Sequence, residues 1–277
     1  MERIENIIEA VRNNLEHWMT PEILKRCFGM IDLTSLKSTD TETKITKMVK
    51  KVNEFKTQYN DFPYPASICI FPNFSKTVKE NLTAEGVGIT VVSGCFPASQ
   101  SYLDVKILES RLAVENGATE VDIVLALNKF LDGDYEACKK EISEIRKAIG
   151  DNIRLKVILE TGALVSEENI RTAAFLAMES GADFIKTSTG KLEPAATPFA
   201  VAVMCNCIKE YYEKTGRRIG LKPAGGMTSA KDVIVYYGIV ENILGEEWLT
   251  PSLLRFGTSR VANSILSEVE KSTVSYF

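Results

Sequence analysis

The feature that most constrains this chain is a strand–helix alternation that repeats eight times. Each repeat joins a short run rich in Ile, Val and Leu to a longer segment whose apolar residues recur at helical spacing. The predicted strands cover residues 28–34, 67–72, 88–92, 120–124, 154–160, the start of 181–191, 219–226 and 254–257. The predicted helices cover residues 2–18, 45–55, 75–84, 101–116, 134–148, 167–179 and 197–214, with others starting near 21, 228 and 259.

Strands that alternate with helices form a parallel sheet, and eight such units close naturally into a barrel. Each unit has the ~30 residues of one βαβ step, and a single barrel of this kind takes about 250 residues. We therefore predict an α/β fold, a (β/α)8 TIM barrel with an extra N-terminal helix, as one domain over residues 1–277. Residues 1–20 are expected to form a capping helix and residues 270–277 a C-terminal tail. A doubly wound open sheet is the alternative, but no GxGxxG follows the first strand.

Composition argues against several classes of function. The formal net charge is −4 and no block rich in Lys or Arg is present, so nucleic acid is not an expected partner. His17 is the only histidine, which argues against histidine triads and histidine-ligated metals. The N-terminus has no apolar core flanked by a cleavage site, and no run approaches a membrane span, so we expect a cytoplasmic protein without a membrane partner. The six cysteines lack zinc spacing and are expected to be free thiols: Cys27, Cys69, Cys95, Cys138, Cys205 and Cys207.

The sixth strand contains a lysine at a position where a charge is costly. Side chains alternate along a strand, so Phe184, Lys186 and Ser188 share one face while Asp183 and Ile185 share the other. An inward-facing ammonium must be paired with a carboxylate or lose its proton more readily than usual. The alternative is a strand-end lysine whose ammonium reaches solvent along its aliphatic stem.

Active residues of such barrels come from the carboxyl ends of the strands and the loops behind them. The polar residues found there are Asp32, Thr34, Cys69, Asp122, Lys186 and Lys222. A nucleophilic lysine needs a neutral amine, and burial beside a second cation favours one. Lys222 is the natural second cation, and Asp122 could shuttle protons. Structural ion pairing without catalysis is the alternative explanation.

Glycines and hydroxyls near the ends of strands seven and eight predict an anion site. Loops after these strands often bind phosphate together with a helix N-terminus. The candidates are Gly225 and Gly226 ahead of Thr228, and Gly257 ahead of Ser259, while Gly190 and Lys191 after strand six could complete the site.

Five ordered motifs carry a resemblance to a known family. They are Ile31-Asp32-Leu33-Thr34, Glu120-Val121-Asp122, Phe184-Ile185-Lys186-Thr187-Ser188-Thr189-Gly190, Lys222-Pro223-Ala224-Gly225-Gly226 and Phe256-Gly257-Thr258-Ser259. In this order they resemble the deoxyribose-phosphate aldolases, and the resemblance runs from the first strand to the last.

The resemblance implies a class I aldolase that reversibly cleaves 2-deoxy-D-ribose 5-phosphate into acetaldehyde and D-glyceraldehyde 3-phosphate. It implies that Lys186 forms the Schiff base, that Lys222 tunes it and that Asp122 relays protons. The substrate, a small phosphorylated sugar, would contact Asp32, Thr34, Cys69 and Thr189. Its phosphate would be held by Gly190, Lys191, Gly225, Gly226, Gly257 and Ser259. The chemistry requires no metal or other cofactor.

Two departures from the family pattern concern the end of the chain. Arg260 stands where family members often carry a second serine, and Tyr276 precedes a final phenylalanine where the family's mobile tail can end in a tyrosine that assists proton transfer. Two alternative functions stay open: another Schiff-base lyase acting on a different phosphorylated sugar, and a non-catalytic sugar-phosphate sensor. Homodimers are common among such barrels, and a homodimer is expected on that ground alone.

Overall fold

The computed structural model describes residues 2–277, with side chains described from Ile4 onward, and its centre is a sheet of eight parallel strands. The strands are β1 (Ile31–Thr34), β2 (Ser67–Ile70), β3 (Gly88–Ser93), β4 (Glu120–Val124), β5 (Arg154–Ile158), β6 (Phe184–Lys186), β7 (Gly220–Lys222) and β8 (Phe256–Thr258). From β1 to β7 each strand pairs with the next one in the chain, and β1 also pairs with β8. Parallel bridges from Leu221 to Leu254 and from Ala224 to Gly257 join β7 to the β8 region. The predicted (β/α)8 barrel is therefore confirmed, and the open-sheet alternative is excluded.

Helices surround the sheet in the order that the alternation predicts. They are α1 (Glu2–Asn13), α2 (Pro21–Phe28), α3 (Glu42–Gln58), α4 (Ser75–Asn81), α5 (Leu103–Glu115), α6 (Leu127–Leu131), α7 (Tyr135–Ile149), α8 (Thr161–Leu164), α9 (Glu167–Glu179), α10 (Pro198–Thr215), α11 (Ala230–Leu244) and α12 (Val261–Glu270). The short helices α6 and α8 follow β4 and β5 directly and were not predicted. Among the described residues, no helix is both long and apolar enough to cross a membrane.

The two faces of each strand have different surroundings. Outward-facing residues such as Ile31, Val121 and Ile185 belong to the large apolar core between strands and helices. The buried charges lie on the inward face, where the strand register aligns Asp122 with Lys156 and Lys186 with Lys222. Phe184 and Val92 also face inward, beside these charged residues. The hydrophobic core therefore forms a ring around the barrel, and the charged groups are enclosed within it.

The ends of the chain pack on the outside of the barrel. Helix α1 lies against α10 and α11, so it covers the side of the barrel, whereas a capping helix was expected. Trp18 follows it and donates a 2.6 Å hydrogen bond to Glu241 on α11. The first strand starts at Ile31 rather than at residue 28, because Phe28 ends α2.

Candidate active site at the carboxyl end of the strands

Lys186 is the last residue of β6 and is only 3% exposed. Its backbone is fixed on both sides, because the register pairs it with Ile158 of β5 and Lys222 of β7. Its Nζ lies 2.9 Å from Asp122 Oδ2. Burial lowers the pKa of Lys186 and the Lys222 ammonium adds to this effect, while Asp122 opposes it. The amine is thus buried, held in place and easier to deprotonate than a free lysine.

Lys222 ends β7 at the same level and bridges two carboxylates. Its Nζ lies 2.7 Å from Asp122 Oδ2 and 2.5 Å from Asp32 Oδ2. Burial opposes its charge, yet Asp122 and Asp32 together raise the pKa of Lys222 above its usual value. The pKa of Asp122 is held well below its usual range, because Lys156, Lys186 and Lys222 outweigh the effect of burial. The structure therefore brings together the four charged residues that the strand-end pattern selected.

Three buried charges escaped the sequence analysis. Lys156 Nζ lies 2.8 Å from Asp122 Oδ1 and 2.7 Å from Glu120 Oε2. Arg255 binds Asp32 Oδ1 at 2.5 Å and Glu120 Oε1 at 2.8 Å. Strand alternation could have indicated two of them. Glu120 lies two residues before Asp122 on β4 and so shares its inward face, and Lys156 is the register partner of Asp122 on β5. These residues continue the network below the lysine pair, toward the amino ends of the strands.

Thr34 and Cys69 are register partners on β1 and β2, near the acidic side of the network. The Thr34 hydroxyl donates a 2.7 Å hydrogen bond to the Asp32 carbonyl oxygen. Cys69 is fully buried, and burial raises the pKa of its thiol. A neutral thiol and a half-buried hydroxyl therefore form this wall, and each can contact a small ligand.

The glycines of the predicted anion site come from three different strand ends and meet. Gly190, Gly225 and Gly226 all have positive φ, between 73° and 77°. A Cβ on Gly225 would lie 3.0 Å from Gly190 Cα, and one on Gly257 would lie 2.9 Å from Ala224 Cβ. These close approaches need glycine, and they leave a shallow cradle of backbone groups beside the lysine pair.

Two helix N-termini near this cradle differ in how they are capped. At α11 the Asp232 carboxylate accepts from the backbone N–H groups of Thr228 and Ser229, so the helix supplies its own anion. At α12 there is no acidic residue in the first turn, and Arg260 at the N-cap makes no side-chain cap; the Thr258 hydroxyl accepts from the Val261 N–H at 3.5 Å. Ser259 and Arg260 just before the helix are exposed. The α12 N-terminus is therefore the one better suited to an external anion.

The loop after β6 carries Thr189 and Lys191. Thr189 is buried, and its hydroxyl donates to Glu160, a residue that the sequence analysis missed. Lys191 is exposed and its Nζ donates a 2.6 Å hydrogen bond to the carbonyl oxygen of Leu36 after β1. Ser188 was placed on the face of Lys186, and its hydroxyl is buried without a hydrogen-bond partner among the described residues.

Tyr276, expected near the reacting groups as a tail tyrosine, lies away from this site in the structure. Its hydroxyl donates a 2.8 Å hydrogen bond to the carbonyl oxygen of Lys51 on α3, and its ring packs against Phe55 and Tyr59. Asn263 accepts hydrogen bonds from the last two backbone N–H groups and holds the tail there. The physical reason is an aromatic cluster on α3 that buries the end of the chain.

Within residues 2–277, no three Asp, Glu, His or Cys side chains converge in a way that could hold a metal ion. The buried carboxylates contact lysine and arginine instead. What the arrangement can do is lower the pKa of one buried amine and move protons through the acids and ammonium groups beside it.

Comparison with known proteins gives consistent findings. The family model described as DeoC/LacD family aldolase matches residues 28–235. The deoxyribose-phosphate aldolase of Homo sapiens is 38% identical over 274 residues, which cover 95% of this chain and 84% of the human protein. The corresponding enzyme of Bos taurus is 37% identical over the same shares. The solved structure of deoxyribose phosphate aldolase from Aeropyrum pernix, a tetramer, is 26% identical and covers 98% of this chain and 99% of its own with a TM-score of 0.73.

Proposed function

The chain belongs to the DeoC/LacD family of aldolases, and from that premise we propose that it reversibly cleaves 2-deoxy-D-ribose 5-phosphate into acetaldehyde and D-glyceraldehyde 3-phosphate. The reaction proceeds through a Schiff base on Lys186. The names of the relatives support the substrate, and the geometry of the lysine pair supports the mechanism.

The observation that carries the choice of Lys186 is the charge balance of the barrel interior. Three carboxylates, Asp32, Glu120 and Asp122, face four buried cations, Lys156, Lys186, Lys222 and Arg255. The half-buried Arg154 also contacts Glu120, at 2.5 Å. Lys156, Lys222 and Arg255 each contact at least two of these carboxylates. Among the described residues, Lys186 contacts Asp122 alone, through an oxygen that it shares with Lys222. Lys186 therefore has the fewest carboxylate contacts of the buried lysines, so it is the lysine that loses its proton at the lowest free-energy cost.

A neutral Lys186 can attack the C1 aldehyde of the open-chain sugar and lose water to give a protonated imine. The imine draws electrons from the C2–C3 bond once a base removes the proton of the C3 hydroxyl. Cleavage releases glyceraldehyde 3-phosphate and leaves the two-carbon fragment on the lysine as an enamine. Protonation at C2 and hydrolysis then release acetaldehyde and restore the amine.

Proton transfer is assigned to Asp122 and Lys222. Asp122 contacts both ammonium groups, and its lowered pKa keeps it ionised, so it orients Lys186 and passes protons on rather than storing one. Lys222 stays protonated at neutral pH because its pKa is raised, and it can donate to water or substrate oxygen. Cys69, Thr34 and Asp32 line the wall that the sugar chain would contact.

The phosphate is assigned to the glycine cradle and the α12 N-terminus. The three left-handed glycines expose backbone groups there, and α12 has no anion of its own. Lys191 and Arg260 are exposed at the edge and can supply positive charge. Arg260 replaces the second serine of the family pattern, so charge takes the place of a hydroxyl donor at this position.

Reductive trapping tests this proposal. Borohydride with acetaldehyde, or with 2-deoxyribose 5-phosphate, should leave one covalent adduct, and peptide mapping should find it on Lys186. Lys186→Met should abolish both the adduct and turnover in an assay coupled to glyceraldehyde 3-phosphate. Lys214→Met, at an exposed lysine on α10, is the matched control and should change neither.

Three outcomes would contradict the assignment. An adduct on Lys191 or Lys222 would transfer the nucleophile's role, and turnover without any trapping would remove the Schiff base. Trapping by acetaldehyde without cleavage of 2-deoxyribose 5-phosphate would point to a different phosphorylated sugar.

A further inference from the structure

Glu160 has a backbone conformation that is unusual for its residue type. It lies where the ladder between β5 and β6 continues past the strand ends, with Leu159 N donating to Lys186 O at 2.8 Å and Thr161 N to Thr187 O at 2.9 Å. Between them Glu160 adopts the left-handed conformation, with φ 56° and ψ 60°. A side chain with a Cβ is disfavoured there, and such strain tends to persist at functional sites.

The Glu160 carboxylate is 4% exposed and is directed at a single residue. It accepts a 3.1 Å hydrogen bond from the Thr189 backbone N–H and a 2.6 Å hydrogen bond from the Thr189 hydroxyl. The Thr189 oxygen in turn accepts from the Lys191 backbone N–H at 3.0 Å. Among the described residues, no lysine or arginine nitrogen lies within 4.0 Å of this carboxylate. The buried charge is therefore offset by donors of the loop itself.

The turn that follows Glu160 supports the far end of the same loop. A Cβ on Gly162 would lie 2.1 Å from the carbonyl oxygen of Pro194, so the two backbones are in direct contact. The segment from Thr189 to Pro194 is thus seated on residues 160–162 at both ends. Gly190 lies between them, next to Gly225 in the cradle.

We propose that Glu160 is a positioning residue that sets the loop from Thr189 to Lys191 in the geometry that receives the substrate's phosphate. This inference rests on the proposed function, because it takes the glycine cradle as the phosphate site. Glu160 does not touch the reacting carbon atoms. It acts through Thr189, whose hydroxyl proton it engages and whose backbone it fixes, and so it determines where the Gly190 and Lys191 N–H groups lie.

Two substitutions separate the carboxylate from the backbone strain. Glu160→Gln keeps the size and the strain but loses the charge, whereas Glu160→Gly loses the side chain and relieves the strain. Both should raise KM for 2-deoxyribose 5-phosphate by about ten- to a hundred-fold, the usual effect of losing a hydrogen bond to a charged group. Glu168→Gln, at an exposed position on α9, is the matched control and should leave KM unchanged.

Assays of the same variants with 2-deoxyribose, which lacks the phosphate, distinguish a phosphate-positioning role of Glu160 from a merely structural one. Because the loop acts on the phosphate, kcat/KM for this substrate should change much less than for the phosphorylated one. Acetaldehyde trapping at Lys186 should stay as in the unaltered enzyme. Equal losses on both substrates, or an unchanged KM for the phosphorylated one, would overturn the inference.

A double variant that combines Glu160→Gln with Thr189→Val tests whether Glu160 acts through Thr189. If Glu160 acts through Thr189, the double variant should have the KM of the worse single variant, whereas additive losses would contradict the inference. Glu160→Gly relieves backbone strain, so its melting temperature should be no lower than that of Glu160→Gln. This comparison shows whether a folding defect contributes to the change in KM. Failure of trapping in the unaltered enzyme would instead reject the proposed function itself, so the two failures are distinguishable.

Discussion

Contacts around single carboxylate oxygen atoms distinguish the two lysines at the ends of β6 and β7. Asp122 Oδ2 is shared by Lys186 and Lys222, at 2.9 and 2.7 Å. Lys222 has Asp32 as a second partner, and Lys186 has none among the described residues. The two lysines lie at the same level of the barrel, yet the pKa of Lys186 is lowered and the pKa of Lys222 is raised. The difference arises from the number of carboxylates each ammonium contacts.

Substitution of Lys222 tests this balance. Lys222→Met removes the neighbouring ammonium that lowers the pKa of Lys186 and leaves Asp122 with Lys156 and Lys186 as its cations, so the pKa of Lys186 rises. The reaction needs the neutral amine, so the acidic limb of the pH–rate profile should move to higher pH. If Lys222 also relays protons as proposed, kcat should fall by ~10²-fold or more. The measurement is kcat/KM from mildly acidic to alkaline pH, and a lower kcat with an unmoved limb would contradict the tuning role.

Order and type of the main elements could be predicted from the sequence, but several of the element ends could not. The helix over 167–179 matches its prediction, because a Ser cap and helical spacing mark it locally. The fifth strand was predicted to reach residue 160, whereas β5 ends at Ile158 and Glu160 turns left-handed. That turn is stabilised by Thr189, 29 residues away, and no local pattern contains this contact.

Some residues of the candidate site could be identified from the sequence, and others could not. Lys186 and Asp122 could be selected because they end or lie within recognisable strands with known alternation. Lys156 and Arg255 have charged side chains that are equally common at strand edges in solvent. Only closure of the barrel brings Arg255 within 2.5 Å of Asp32, which is 223 residues away in the chain.

Glycines in the loops offer a test at the scale of elements. Gly225 and Gly216 both have positive φ, but a Cβ on Gly225 would lie 2.8 Å from Ala195 Cβ, while one on Gly216 would meet nothing within 4 Å. Alanine at either position should cost ~1 kcal/mol of backbone strain. Gly225→Ala should also displace the cradle and raise KM for the phosphorylated substrate by about ten-fold or more. Equal KM values in the two variants would argue against a phosphate at the cradle.

At the scale of the whole molecule, the barrel is a ring of apolar core around a column of charge. The column runs from the lysine pair through Lys156 down to Glu120 and Arg255. Replacing such ion pairs by apolar residues often costs no stability, so the ion pairs of the column are not by themselves evidence of a stabilising role. Removing one partner, however, leaves a buried charge without compensation. The column therefore makes stability depend on every carboxylate in it remaining ionised.

Acid should unfold this protein steeply for that reason. The pKa of Glu120 is lowered from 4.5 to about 2 by Lys156 and Arg255 against the effect of burial, and Asp32 and Asp122 are lowered well below their usual range by their cations. A carboxyl whose pKa is lower in the folded than in the unfolded protein stabilises the fold at any pH above its unfolded pKa. This stabilisation is lost as the pH falls from the unfolded pKa to the folded pKa. For Glu120 it amounts to ~3 kcal/mol, lost between about pH 4.5 and 2.

With three such carboxyls, the unfolded state binds up to three more protons than the folded one, so the free energy of unfolding should fall by ~4 kcal/mol per pH unit in this range. Urea unfolding at successive pH values measures the slope. Glu120→Gln removes one titrating group and should reduce the slope by about a third, apart from any loss of stability at neutral pH. Glu9→Gln, at an exposed residue of α1, is the control and should keep the full slope. An unchanged slope in Glu120→Gln would mean that acid unfolding begins elsewhere than in the charged column.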